Sequence, residues 1–416
     1  MTDLLQCPWF YRAWIRQEIA AAKPKRCIVK CGDMECLLDG LKSFFSKLSW
    51  RARMNQTETD LDDWTILAGQ SKVAEVLMSS ITDLSSHQCS MEQVLHGSRA
   101  TIVSDPRDHV FALWSLTPFA ADADEMIDYS KDAAWVFAST VKKSIIRTGS
   151  LVCLQWILHH KPPRNPNNVV RVKGWDPPDD LPSWVPDWSD SGLSPIKRIP
   201  LLPGLFQASC GSRADCLIKD DMREIRLGGL EIAEVRMIMF SSIYDTLDEF
   251  FADLKLNFEP SGLATACLER YGTAVNVDEA AWRTRLADTL VPMTYADVVR
   301  RWPKGKAGSS LFWRSVDDGS KPDGAGRQLN MDSRLLHRLW MYGRRMAISS
   351  QGHICLVPEK ARLGDHICIF AGGQVPFIVR AFSDKEQGFF VGEAYVHGIM
   401  DGEAWDVSKV QYITLA

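Results

Sequence analysis

Pro8-Trp9-Phe10-Tyr11-Arg12-Ala13-Trp14-Ile15-Arg16-Gln17-Glu18-Ile19-Ala20 reads as a helix by every local test. Pro8 suits a first helical position, Lys23 falls in the last turn and Pro24 supplies a stop. Phe10, Trp14 and Glu18 recur at i, i+4 and i+8, which places two aromatics and a carboxylate on one face. A carboxylate held against an indole can have a raised pKa, so this face is the first place to look for chemistry.

Working outward, Arg26–Cys31 reads as a short strand ended by Gly32-Asp33, and Met34–Leu48 resumes a helical pattern. Helix, strand and helix in that order predict the tail of an α/β unit with a parallel sheet. Residues 63–150 are mostly helical in pattern. Asp105 acts as an N-cap there, followed by Pro106 at N1 and Asp108 at N3, with Val110, Phe111, Leu113 and Trp114 as the buried face. Ser130 caps a further helix whose Trp135, Phe137, Val141 and Ile145 form a core stripe.

The segment from Lys161 to Gly204 differs in kind, being proline-rich and aperiodic with Trp175, Trp184 and Trp188. Trp184 and Trp188 flank Pro186-Asp187 and read as a rigid aromatic strap across a core. Strand signals dominate from Phe206 to Val235, with Asp220-Asp221 turning between Asp215–Ile218 and Glu224–Leu227. Residues 243–300 return to helix, with Tyr244, Leu247, Phe250, Phe251 and Leu254 on one side, and Gly305–Gly326 reads as a surface loop. The last 65 or so residues form a compact β unit, with strands near 353–357, 365–370, 375–382 and 389–397 and a closing strand at Val410–Leu415.

Composition narrows the function classes. A net charge of −4 provides no basic footprint for nucleic acid, and Lys304 and Lys306 are solvated loop residues. No apolar run reaches membrane-spanning length and no leader sequence is present, so the expected location is the cytoplasm. The 11 cysteines sit mostly among apolar residues and fit a reduced compartment. Cys27, Cys31 and Cys36 lack a matching downstream pair, and the adjacent His159-His160 side chains diverge, so no metal site is expected. Gly228-Gly229 and Gly372-Gly373 are not phosphate loops, because neither opens a helix after a strand. In a strand Glu393, Tyr395 and His397 share a face, but no serine or cysteine nucleophile accompanies them, and His397 reads as a structural hydrogen-bond partner.

The words Arg12-Ala13-Trp14-Ile15-Arg16-Gln17-Glu18 resemble the closing motif of the fungal heterokaryon-incompatibility (HET) domain. Asp105–Leu113, Asp128-Tyr129-Ser130-Lys131, Leu181–Ser189, Gly364–Ile369, Val375–Arg380 and Gly392–Gly398 agree with that resemblance in order and spread. The family's opening Tyr-x-Ala-Leu-Ser-Tyr-x-Trp-Gly type strand is not found, which implies a domain lacking its front half. HET domains are similar to TIR domains, and Trp14-x-x-x-Glu18 matches the Trp-x-x-x-Glu helix of TIR enzymes that cleave the nicotinamide bond of NAD. By that resemblance Glu18 would be catalytic and Trp14 supporting, with strand-end loops supplying the rest of the dinucleotide pocket.

The fold class expected is α+β: a truncated α/β (TIR-like) remnant, a helical region and a small antiparallel C-terminal β unit. The divisions are 1–50 for the HET remnant, 51–160 helical, 161–235 strap and hairpin, 236–345 helical with the Gly-rich loop, and 346–416 the β unit. The family implies self/non-self recognition and programmed cell death after fusion of unlike hyphae. The reading favoured is an interaction, regulatory or remnant module with a protein partner and no cofactor. The alternative is an NAD hydrolase using Glu18, with NAD as substrate. The sheet edge left by missing strands predicts association into a homo-oligomer.

Overall fold

A computed structural model describes residues 9, 12–21, 27–41, 43–44, 90–98, 101–122, 126–157, 181–189, 204–239, 262–290, 300–301, 341, 343–381 and 387–416. Phe10, much of the helical pattern from 63, His159-His160, Trp175, the 243–254 face and the Gly305–Gly326 loop lie outside them. The chain divides into two compact units: Met1–Val141 with His160–Leu181 and Asp187–Pro195, and Lys142–His159 with Pro182–Pro186 and Ile196–Ala416. It is mixed helix and sheet. Among the described residues no helix is long and apolar enough to cross a membrane.

In the first unit, α1 spans Ala13–Ala21 and buries Ala13, Ile15, Arg16 and Ile19. The expected α/β continuation is corrected here. Ile28–Cys31 (β1) and Met34–Leu37 (β2) form an antiparallel hairpin, with Ile28 opposite Leu37 and Lys30 opposite Glu35. Gly32 at φ 61° reverses the chain, so the segment from Met34 folds back as a strand before a helical turn begins at Leu38. Helix α2 (Met91–Gly97) starts with a reciprocal capping box: Gln93 N donates to Ser90 Oγ at 3.3 Å, and Ser90 N to Gln93 Oε1 at 2.8 Å.

Helix α3 begins at Asp108 and ends at Trp114, later than the sequence suggests. Asp105 instead accepts from Arg107 N at 3.0 Å, in the turn before it. Residues His109 to Trp114 are all buried, and α1 packs against them. Helix α4 runs from Ala133 to Thr148. Its cap is Asp132, whose Oδ1 accepts from Trp135 N at 2.7 Å, and not Ser130. The stripe Val136, Phe137 and Val141 is fully buried in this unit, as is Trp188.

In the second unit, β3 (Cys216–Ile218) turns at Asp220-Asp221 into β4 (Ile225–Ile238), a strand of 14 residues. Gly228-Gly229 lie inside it. The strands β7 (Arg344–Ser349), β8 (Ile354–Pro358), β9 (His366–Phe370), β10 (Phe377–Ala381), β11 (Gly388–Glu393), β12 (Tyr395–Val396) and β13 (Gln411–Leu415) complete a nine-stranded sheet. Two-residue strands β5 (Thr289–Leu290) and β6 (Arg300–Arg301) pair separately.

The strand β4 is the hub. Its first half pairs with β13, its middle with β9 and its end with β7. Because β13 pairs β11, β11 pairs β10 and β10 pairs β9, these strands and β4 close a ring, a small barrel from which β3 and the arm β7–β8–β12 branch at β4. Val235, Ala347, Val357, Ile367, Ile369, Ile378 and Val396 fill the core. Helices α5 (Leu263–Tyr271) and α6 (Ala274–Arg285) belong to the same unit, with α6 against β8. Ser183 pins the strap segment: its N and Oγ both donate to Ala416 O, and its Oγ accepts from Phe390 N at 2.9 Å. Trp184 beside it is 0% exposed, as a packing strap requires.

Candidate functional site

In the first unit the structure brings two sequence words together beneath α1. Arg107 holds Asp105 through Nε at 2.9 Å and Nη2 at 2.6 Å, and its Nη1 donates to the carbonyls of Tyr129 at 2.6 Å and Lys131 at 2.8 Å. This guanidinium holds the Asp105 carboxyl below the usual aspartate range. Asp108 accepts from Tyr129 Oη at 2.7 Å and from Trp14 Nε1 at 3.4 Å. Partial desolvation, and then donation to Asp108, push Tyr129 up to about 12. Arg16, wholly buried, donates to Ser98 Oγ at 2.8 Å, and burial lowers its pKa to about 9.

The sequence points to Glu18 as a desolvated carboxylate, but α1 turns it to the exposed side, and Trp14 is 40% exposed. What α1 buries is Arg16, two positions from both Trp14 and Glu18 and so on the opposite side of the helix.

In the second unit a polar group gathers where α5, α6 and β12 meet. Tyr395 Oη is hydrogen-bonded to His397 Nδ1 at 2.9 Å. Tyr271 Oη donates to His397 O at 3.3 Å and accepts from Ile354 N at 3.1 Å, while His353 Nδ1 lies 3.4 Å from the same His397 carbonyl. Burial drives both histidines down to about 4 and Tyr395 well above its ordinary value. The shared strand face that the sequence suggests for Glu393 is not used this way. Glu393 pairs with Arg344, both fully buried, and accepts from Gln155 Nε2 at 3.2 Å.

Sequence reasoning missed the charged chain beside them. Asp288 joins Arg283 at 2.8 Å and Arg301 at 2.7 Å, and Arg301 reaches Asp401 at 2.7 Å while its guanidinium lies over the Phe206 ring. Asp401 and Phe206 lie about a hundred residues to either side of Arg301, so no local spacing could announce the group. His366, Glu231 and Glu234 have donor atoms within 4.8 Å of one another, the grouping among the described residues that could hold a metal, although Glu234 is ion-paired with Arg236 at 2.7 Å. Cys27 and Cys36 are free thiols. An open groove of about 430 Å3 follows the edge of β4 between β13 and β7, lined by Leu230, Glu231, Gln351, Asp406 and Lys409.

The second unit's barrel is the feature that comparison with known proteins detects. Residues 329–413 match the family model of the Het-6 beta-barrel domain. Heterokaryon incompatibility protein 6, OR allele, of Neurospora crassa is 24% identical over 358 residues, covering 74% of this chain. The chain is thus similar to a heterokaryon-incompatibility protein over most of its length and to that family's barrel domain at its C-terminal end. It spans 50% of that relative's length. No solved structure matches. Within the chain the matched stretch runs from before β7 to β13, so β4, which closes the ring, lies upstream of it. The charged chain likewise takes Arg283, Asp288 and Arg301 from outside the match and Asp401 from inside it.

Proposed function

We propose that this chain acts in the cytoplasm in fungal self/non-self recognition and the programmed cell death that follows fusion of unlike hyphae, as an interaction or regulatory module whose C-terminal barrel holds a protein partner. The family match over the barrel carries this reading. Two site observations support it over catalysis. Glu18 stands exposed on α1, whereas an oxocarbenium-stabilising carboxylate works best partly desolvated. The histidine-tyrosine group is committed to buried main-chain and side-chain bonds, which suits a rigid scaffold.

The test is to introduce the full chain into strains of differing incompatibility genotype and score growth arrest and cell death after fusion. Arrest confined to particular pairings is the expected result. Indifference in every pairing counts against the recognition role. Release of nicotinamide from NAD that is lost in Glu18→Ala would replace the module with a hydrolase.

A further inference from the structure

The β1–β2 hairpin presents a whole face to solvent. Cross-strand partners share a face, so Ile28 and Lys30 on β1 stand beside Leu37 and Glu35 on β2. Ile28 is 58% exposed and Leu37 54%, and Lys30 and Glu35 are exposed as well. The two strands form a sheet of their own, and among the described residues no other strand pairs with either. A two-stranded ribbon with an open apolar pair is marginal alone and gains from being covered.

The arrangement of the four side chains selects what covers it. They form a rectangle, with the apolar pair toward the open end and the charged pair toward the Gly32-Asp33 turn. Consider a second hairpin laid face to face on the first, related by a two-fold axis that runs parallel to the strands. That rotation keeps position along the strand and exchanges β1 with β2. It therefore sets Ile28 over Leu37 of the other copy and Lys30 over Glu35 of the other copy, twice each. A two-fold axis across the strands would instead set apolar side chains over charged ones. The face is thus self-complementary in shape and charge about one axis, the property of an isologous interface.

We propose that a second copy of this chain docks on the Ile28/Lys30/Glu35/Leu37 face, giving a two-fold dimer through stacked hairpins. The inference stands apart from the family reading, because it uses only the register of the hairpin and the exposure of four residues. Four side chains cover far less than the roughly 800 Å2 per partner of a stable interface, so the dimer is weak, with Kd on the order of 10–100 µM.

The test is sedimentation velocity of the full chain over a concentration series. The parent should shift from monomer to dimer. Lys30→Glu gives a copy with two carboxylates on this face and Glu35→Lys a copy with two ammonium groups, so each alone should dimerise at least about tenfold more weakly. An equimolar mixture of these two variants should associate again, close to the parent, since each lysine then meets a carboxylate on the other chain. Restoration on mixing cannot come from pairing within one hairpin. All four positions are exposed, so far-UV circular dichroism should be unchanged. A parent that stays monomeric at several hundred µM, or a mixture no more associated than its components while the parent dimerises, overturns the proposal.

Discussion

Tyr395 Oη and His397 Nδ1 lie 2.9 Å apart, and burial keeps both groups uncharged. The tyrosine keeps its proton because its pKa is raised, and the imidazole stays neutral because its pKa falls to about 4, so an uncharged hydrogen bond joins them. Asp288, Glu279, Arg283 and Arg301 face His397, while Arg270 faces His353, yet desolvation outweighs their fields at both rings.

Stability should therefore fall in acid. Each histidine has a folded pKa of about 4, against an ordinary 6.5, so the unfolded chain binds more protons between those values. The contribution is fully present above pH 6.5 and lost as the pH drops toward 4, with a ceiling of roughly 3 kcal/mol per histidine. Urea melts at pH 7 and pH 5 should show the loss. In His353→Asn the difference between the two pH values should shrink, and an unchanged difference would refute the assignment.

Arg344→Ala should cost about 3–5 kcal/mol, because it leaves Glu393 charged in a site with no exposure. The double variant Arg344→Met with Glu393→Leu should recover more than half of that, since neither charge is then buried. A double variant as unstable as the single one would show that the pair itself, and not the stranded charge, sets the stability. Chemical denaturation of the three proteins decides it.

Removal of Arg107 should loosen the first unit. Arg107→Ala loses a two-pronged grip on Asp105 and two carbonyl bonds in a partly exposed setting, worth about 1–2 kcal/mol. Arg107→Lys should restore less than half, because an ammonium cannot span both acceptor groups. Full rescue by lysine would mean that charge alone matters here.

At Gly352 the backbone sits at φ 76°, and a Cβ would come within 2.3 Å of Ala266 O in α5. Gly352→Ala should destabilise the second unit by about 2–4 kcal/mol through strain and displacement of α5, visible as faster amide exchange in α5.

Glu18→Ala should change stability by less than about 0.5 kcal/mol, as expected for an exposed side chain away from any named partner. Nicotinamide release from NAD should be absent from parent and variant alike. Release by the parent alone would sink the scaffold reading.

How much of this was legible in the sequence depended on distance along the chain. Alternation and turn residues were enough for the β3–β4 hairpin at Asp220-Asp221 and for the strands from Ile354 onward, since both signals are local. The burial of Trp184 and Trp188 followed from the rigidity of the segment that carries them. Met34–Leu37 was misread because a stretch as short as Met-Glu-Cys-Leu fits helix and strand alike, and the left-handed Gly32 decides between them. The path of β4 through three successive partners, and the bonds of Arg301 to Asp288 and Asp401, have no local signature. At α1 the aromatic spacing marked one face, but packing buried the opposite one, with Arg16 inside and Glu18 out.

The pairing of Leu227 with Ile413 has a consequence for biosynthesis. During translation β4 emerges long before β13, and contacts so distant in sequence form slowly. Until residues 411–415 leave the ribosome, the first half of β4 presents an unsatisfied backbone edge to the cell. A ribosome stalled short of Gln411 should therefore carry a protease-sensitive second unit.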